Sequence, residues 1–297
     1  MAVHAPNGIR GRADTVPTVN RVVVVTGSAR GIGKATVLAF AARGDTVIAT
    51  VRNPATSGEL RADVDKAGGD VEIIGLDVAD GAAVDQVMGS VLERHGRVDV
   101  LVNNAGAPFN TTLEETPVEE LQRSLDINFL GVARTTKAVL PSMREAGRGH
   151  LIAVTSLAGV VGQPFQDAYC AAKFAVEGLY ESLHPVAAAF GITVSIVEPG
   201  PVETRFDDVE KPLDPVASAP FDVLRARRAA VMKSGDGKRR TAEETGEFIA
   251  AVADEEHPLL RYQTGGLVRA IAAMKLKDLD GRTISTFMAG WLADPDA

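Results

Sequence analysis

The sequence predicts an α/β protein: one doubly wound parallel sheet of about seven strands, helices on both faces, and a C-terminal extension placed to act as a lid. Three observations predict it. Short apolar, β-branched runs alternate with longer helical stretches through six β-α units. The alternation has no repeat period, so it describes one sheet rather than a stack of modules. The runs are continuously apolar, which suits strands buried on both faces by right-handed crossover helices. Residues 21–297 are expected as a single domain, 1–20 as a flexible tail and 201–240 as the lid region over a substrate site.

Val22-Val23-Val24-Val25 is the first strand, and a turn of Gly and small residues follows it. Ile32 to Arg43 is expected as a helix closed by Gly44. Thr46 to Val51 is the second strand and Ser57 to Ala67 the next helix, ended by Gly68-Gly69. Val71 to Leu76 is a strand, then Ala79 to His95 a helix ended by Gly96. Val98 to Val102 is the fourth strand, with one long helix from Pro117 to Glu145 behind it. His150 to Thr155 is a strand, Gln166 to Phe190 a helix and Ile192 to Val197 the sixth strand. After Pro199-Gly200 the pattern loosens. Pro201 to Pro220 is irregular, Phe221 to Met232 and Ala242 to Asp254 are helical, and Ser234 to Gly237 is a hinge-like break. His257 to Ala297 mixes short apolar runs with turns.

Composition excludes several classes. The chain has 297 residues, 45% hydrophobic and 24% charged, which is an ordinary globular balance. A net charge of -8 without a basic run argues against nucleic acid or an anionic membrane surface as partner. The one cysteine, Cys170, makes no internal disulfide and suits a reducing cytoplasm. The longest apolar runs are far too short to cross a bilayer, so no membrane anchor is expected. The N-terminal stretch has no apolar core of a signal peptide. There is no nucleophile elbow and no metal-ligand spacing. His150 and His184 have no Ser or Cys nucleophile to pair with and are expected as structural.

The turn Thr26-Gly27-Ser28-Ala29-Arg30-Gly31-Ile32-Gly33 joins the first strand to the first helix. A glycine-rich turn lets backbone approach a pyrophosphate, and the helix N-terminus favours its charge. A carboxylate that would accept from ribose hydroxyls is missing where the second strand ends, at Ala49-Thr50-Val51-Arg52-Asn53. Arg52 stands there instead, with Arg30 projecting from the turn, and two guanidiniums suit a 2′-phosphate. NADP(H) is therefore expected over NAD(H). Asp77-Val78 follows the third strand; Asp77 could accept from the adenine amino group or serve as a turn residue ahead of the helix near Asp80. In Asn103-Asn104-Ala105-Gly106 the small residues Ala105 and Gly106 would let backbone lie against the adenosine ribose, while Asn103 could tie neighbouring strands together.

Tyr169 and Lys173 are four apart on the expected helix from Gln166 and so share a face. A phenol titrates near ~10 in isolation. A fixed cation beside it favours the phenolate and makes the pair a proton donor and acceptor for chemistry at an alcohol or carbonyl carbon. Asn128 is an unfavourable mid-helix residue, and Cys170 is expected as a small packing residue.

The ordered set Thr26-Gly27-x-x-x-Gly31-x-Gly33, Asn103-Asn104-Ala105-Gly106, Asn128, Ser156, Tyr169-x-x-x-Lys173 and Pro199-Gly200 resembles the short-chain dehydrogenase/reductase family over about Asn20 to Phe206. Gly162 to Gly178 and Glu198 to Thr204 are similar to the branch holding 17β-hydroxysteroid and retinol dehydrogenases. The resemblance implies a Rossmann-type fold and hydride transfer between a nicotinamide and a hydrophobic secondary alcohol or ketone of steroid, retinoid or aromatic-ketone type. It implies that Tyr169 exchanges the proton with the substrate oxygen, Ser156 hydrogen-bonds that oxygen, Lys173 supports the phenolate and the nicotinamide ribose, and Asn128 positions a water. It further implies that Pro199, Gly200, Val202 and Thr204 hold the nicotinamide end, and that copies pair as a homodimer or homotetramer through the helices from Pro117 and Gln166. The segment after Phe206 departs from the branch: Asp207, Asp208, Glu210 and Lys211 make it polar, though Leu213, Val216, Phe221, Val223, Leu224 and Met232 could line a pocket. Two other readings stand beside this one, a dinucleotide-sensing regulator without turnover and an epimerase or dehydratase on the same fold.

Overall fold

The structure is a computed structural model that describes residues 20–204, 206, 219–234 and 239–294. The expected tail and most of the expected lid, including Leu213, Val216 and the break at 235–237, lie outside the described residues.

Seven parallel strands form the main sheet in the order β3-β2-β1-β4-β5-β6-β9. They are β1 (Val22–Val25), β2 (Thr46–Val51), β3 (Val71–Gly75), β4 (Val100–Asn103), β5 (Gly149–Val154), β6 (Ile192–Glu198) and β9 (Arg261–Gln263). The helices between them are α1 (Gly31–Ala41), α2 (Gly58–Ala67), α3 (Gly81–His95), α4 (Val118–Leu125), α5 (Gly131–Ala146) and α6 (Asp167–Ala188). After β6 come α7 (Asp222–Ser234), α8 (Ala242–Ala253), α9 (Gly266–Lys277) and α10 (Arg282–Ala289). A separate two-stranded ladder pairs β7 (Val202–Glu203) with β8 (Arg240–Thr241).

The all-valine β1 shows why a central strand is apolar throughout. Side chains alternate across a strand. Val22 and Val24 enter one core with Met88 of α3, Val139 of α5 and Tyr180 of α6. Val23 and Val25 enter the other, with Phe40 of α1, Leu60 of α2 and Ile249 of α8. Every valine of β1 is buried, so neither face tolerates a polar residue.

The structure corrects three local expectations. The stretch from Pro117 to Glu145 is not one α-helix: α4 and α5 are joined by a π-helical segment, Asp126–Leu130. One widened turn leaves the 3.6-residue apolar pattern almost unchanged, which hides it from periodicity. Residues 257–294, expected as a mix of short apolar runs and turns, hold the regular elements β9, α9 and α10. The third helix starts at Gly81, because Asp80 caps it by accepting from the Ala83 N–H at 3.0 Å.

Among the described residues no helix is long and apolar enough to cross a membrane.

Candidate active site

Strand order reverses between β1 and β4, which opens a crevice beyond their carboxyl ends. The glycine turn leaves β1 there and Asn104-Ala105-Gly106 leaves β4 there. Thr26 joins the two: its Oγ1 accepts from the Asn104 and Ala105 N–H groups, each at 3.0 Å. Asn104 Nδ2 answers by donating to the Thr26 and Gly27 carbonyls at 3.0 and 3.1 Å. Gly27 has φ +69°, and a Cβ on it would lie 2.7 Å from Ala105 Cα. A Cβ on Gly33 would lie 2.3 Å from the Gly27 carbonyl oxygen. Only glycine therefore lets the turn fold back this tightly. Asn103 does not tie strands together. Its amide points under the sheet to Thr136 Oγ1 and the Tyr180 hydroxyl, at 3.0 and 2.9 Å, and accepts from Thr135 at 2.6 Å. Side chains of a strand point out of the sheet, so helices rather than neighbouring strands meet it.

The N-terminus of α1 faces the same crevice. Arg30 at its cap position is extended and makes no side-chain cap, and the first turn carries no acid. Its N–H groups fit the pyrophosphate of a nicotinamide dinucleotide. Ser28 presents no side chain: it is fully buried, with Oγ donating to the Val25 carbonyl at 2.8 Å and N–H to the Thr50 carbonyl at 2.9 Å. Ile32 packs against the core under α1. Arg52 is exposed just past β2 and Arg30 half-buried on the turn, and neither has an ion-pair partner among the described residues. Asp77 folds into an Asx turn, accepting from the Ala79 N–H at 3.0 Å, and Val78 is buried beside the π segment's end at Gly131. From β6, the Pro199 carbonyl accepts from the Leu157 N–H at 2.9 Å, Gly200 N–H donates to Thr264 Oγ1 at 3.4 Å, and Val202 opens β7. Thr204 lies over the glycine turn, 3.3 Å from where a Cβ on Gly31 would be.

Asn128 sits in the π segment and is fully buried. Its Oδ1 accepts from the Ala107 N–H at 3.0 Å, and its Nδ2 donates to the Ala107 carbonyl at 3.1 Å. The widened turn carries its side chain back to β4's loop, a common use of such a bulge. Gly106 brings Asn128 and Lys173 together, since a Cβ there would be 2.9 Å from Asn128 Oδ1 and 3.7 Å from Lys173 Nζ. Lys173 is 3% exposed and donates to the Val154 carbonyl at 3.0 Å. Its Nζ lies 5.7 Å from the centre of the Tyr169 ring. Burial pulls the ammonium down to about 8, and Glu177 works against the fall. Tyr169 is buried with its ring edge-on to Phe206 at 6.0 Å. Ser156 follows β5 by two residues and caps the short turn Leu157–Gly159, with Oγ accepting from the Ala158 N–H at 3.1 Å. That bond uses a lone pair and leaves the Ser156 hydroxyl proton for another acceptor.

Side chains outside the motifs complete the surroundings. Phe165 is buried with φ +63°, a costly conformation for a bulky residue. It is held by Phe221, edge-on at 6.4 Å, and by the Arg225 guanidinium 4.6 Å above its ring. Arg225 also pairs with the nearly buried Glu115 at 2.5 Å and donates to the Asn110 carbonyl at 2.8 Å. A mainly apolar cleft of about 550 Å³ lies between Val161–Pro164, the face of α6 bearing Cys170 and Phe174, and α10. Cys170 is a buried free thiol there, raised by burial. Sequence spacing placed Thr26 in the glycine turn without its role of joining β1 to β4, and missed Glu115, Arg225 and the carboxylate Glu177. Only Glu177 had a local signal, at four residues from Lys173.

Comparison with known proteins agrees with this geometry. The short chain dehydrogenase family profile matches residues 21–212. The chain is 34% identical to 17-beta-hydroxysteroid dehydrogenase type 1 of Homo sapiens, over 90% of this chain and 84% of that protein. It is 33% identical to retinol dehydrogenase 8 of Bos taurus, over 88% and 86%. A short-chain dehydrogenase structure from Streptomyces avermitilis superposes with TM-score 0.73 at 33% identity, covering 90% of this chain and 98% of that one. An alcohol dehydrogenase from the archaeon Thermococcus sibiricus, complexed with 5-hydroxy-NADP, gives TM-score 0.67 at 25% identity over 82% and 95%. With the family profile across most of the fold and the Tyr169–Lys173 pair buried where the strand order turns, the chain belongs to the short-chain dehydrogenase family and is an oxidoreductase acting on CH–OH groups.

Proposed function

We propose that this enzyme is NADP(H)-dependent and interconverts a hydrophobic secondary alcohol and its ketone. The observation that carries the chemistry is the buried Tyr169–Lys173 pair, joined through Gly106 to Asn128 and standing near the strand end that carries Ser156. When bound, the dinucleotide supplies or accepts the hydride. Tyr169 gives its hydroxyl proton to the substrate oxygen in reduction and takes it back in oxidation. Lys173 lowers the cost of the phenolate by its charge. The Ser156 hydroxyl donates to the same oxygen and fixes its distance. Arg52 and Arg30, without an acid at the end of β2, favour a 2′-phosphate, and the Thermococcus relative was crystallised with a modified NADP. The steroid and retinol names among the relatives favour a steroid-, retinoid- or aromatic-ketone-like substrate. Copies are proposed to pair through α4–α5 and α6, where Val118 and Val186 are 72% and 60% exposed. Solution scattering should give a multiple of 31.1 kDa; a monomer mass would refute pairing.

The test follows NADPH and NADH absorbance over a panel of steroids, retinoids and aromatic ketones, with Tyr169→Phe in parallel. Wild type should turn over with NADPH preferred. Tyr169→Phe should lose about 100-fold or more of kcat and keep its cofactor affinity. Equal turnover by Tyr169→Phe refutes the chemistry, and a clear preference for NADH refutes the cofactor.

A further inference from the structure

Lys173, Glu177 and Glu181 recur every four residues and share one face of α6. Lys173 Nζ is anchored on the Val154 carbonyl, and Glu177 Oε1 accepts from the hydroxyl of the next residue, Thr155, at 2.7 Å. Glu177 Oε2 accepts from Arg261 Nε at 3.2 Å. Arg261 comes from β9 and also reaches Glu181 at 2.6 Å. Its Nε lies 3.6 Å from Glu198 Oε1 at the end of β6. Glu198 is wholly buried, with Oε2 accepting from Gln263 at 2.9 Å and Oε1 without a hydrogen bond among the described residues. The charges on buried Lys173, Glu177 and Glu198 and on half-buried Arg261 sum to zero when all are ionised. Removing one partner from such a set leaves an uncompensated buried charge.

We propose that Glu177 is a positioning residue for the reaction: its carboxylate, clamped by Thr155 and Arg261, keeps Lys173 charged beside Tyr169 in a site too buried to hold the ammonium alone. The inference rests on reading Tyr169 and Lys173 as the proton-handling pair. The groups facing Glu177 are Lys173 and Glu181 on α6, Thr155 after β5, Glu198 on β6 and Arg261 on β9. Burial pushes the Glu177 carboxyl up to about 7; Thr155 opposes this, Glu198 adds to it and Arg261 opposes it. Lys173 stands at about 8, so both groups are ionised together mainly in the narrow interval between the two values. Without the Glu177 anion, Lys173 discharges at lower pH, and Tyr169 loses the cation that favours its phenolate.

The test is a ¹⁵N-edited NMR titration of lysine side chains in the full chain, with the Lys173 signal assigned by its loss in Lys173→Arg. In Glu177→Gln the Lys173 midpoint should fall by about 1 unit, a tenfold change in its protonation equilibrium. An unchanged midpoint overturns the proposal. The alkaline limb of the kcat–pH profile should move down with it, and an equal loss of kcat at every pH overturns it too. Glu177→Asp keeps the charge if Glu177→Gln does not fold, and its Lys173 midpoint should stay within roughly 0.3 units of wild type. A Glu177→Asp midpoint as low as that expected for Glu177→Gln overturns the proposal. The NMR midpoint needs no substrate, so a wild type inactive on every ketone would refute the catalytic reading and still leave the charge coupling decided.

Discussion

His150 and Glu177 are buried ionisable side chains that pull stability in opposite directions with pH. His150 is 7% exposed and shares a 2.9 Å hydrogen bond with Ser195 Oγ. Burial, helped by Arg21, lowers it to about 4. The folded chain therefore binds fewer protons at His150 than the unfolded chain between about 4 and 6.5, and this term adds stability as pH rises. Glu177 has its pKa raised by folding, so its term is present at low pH and is lost as pH rises through about 7. Over pH 5 to 6.5 the two offset. His150→Gln, which keeps a donor for Ser195, should remove the rising term and leave stability falling by about 2 kcal/mol from pH 5 to 7. Urea unfolding at the two pH values checks this; stability that still rises with pH in His150→Gln would sink the assignment. The shared face of Tyr169 and Lys173 was legible because it follows from their spacing, whereas the contact of His150 with Ser195 was not, because it joins neighbouring strands far apart in sequence. Glu177 was local too, but its meaning depends on Arg261, whose approach from β9 no local pattern shows.

Among the elements, α7 and the loop at Asn110 to Glu115 are joined by one side chain. Arg225 spans Glu115, the Asn110 carbonyl and the Phe165 ring, so it holds α7 against the residue that leads into the Tyr169 helix. Glu115 is held below the usual carboxylate range: burial works against this, and hydrogen bonds from Thr112 and Arg225 outweigh it. Arg225→Ala leaves that carboxylate without its cation and frees Phe165 from one of its two restraints. The expected result is a rise in substrate KM of about tenfold, matching roughly 1.4 kcal/mol of lost positioning, with kcat changed less than KM. Steady-state kinetics on a ketone found active would check it, and a fall in kcat with KM unchanged would refute it. Strands β1 to β6 were legible because each is a short, mostly apolar, β-branched run between helical stretches. The π segment at Asn128 was not, because a single widened turn barely disturbs periodicity. The short β9 was not, because three residues with one buried side chain, Tyr262, carry too little pattern.

For the whole molecule, the alternation of runs established a parallel sheet, whereas the order β3-β2-β1-β4-β5-β6-β9 depends on which edges meet in space. That order sets the last strand beside β6 through Ile196–Arg261, Val197–Tyr262 and Glu198–Gln263. It therefore separates the two halves of one charge cluster widely along the chain: the carboxylates of Glu177 and Glu198 come early, and the arginine that compensates them comes near the end. A polypeptide leaves the ribosome from its N-terminus. During synthesis the six-strand sheet can thus form while its edge at β6 is open and its carboxylates lack their cation. The site's electrostatics are completed last, so the emerging chain carries the tyrosine and lysine of the active site well before it carries the arginine that balances the charges around them.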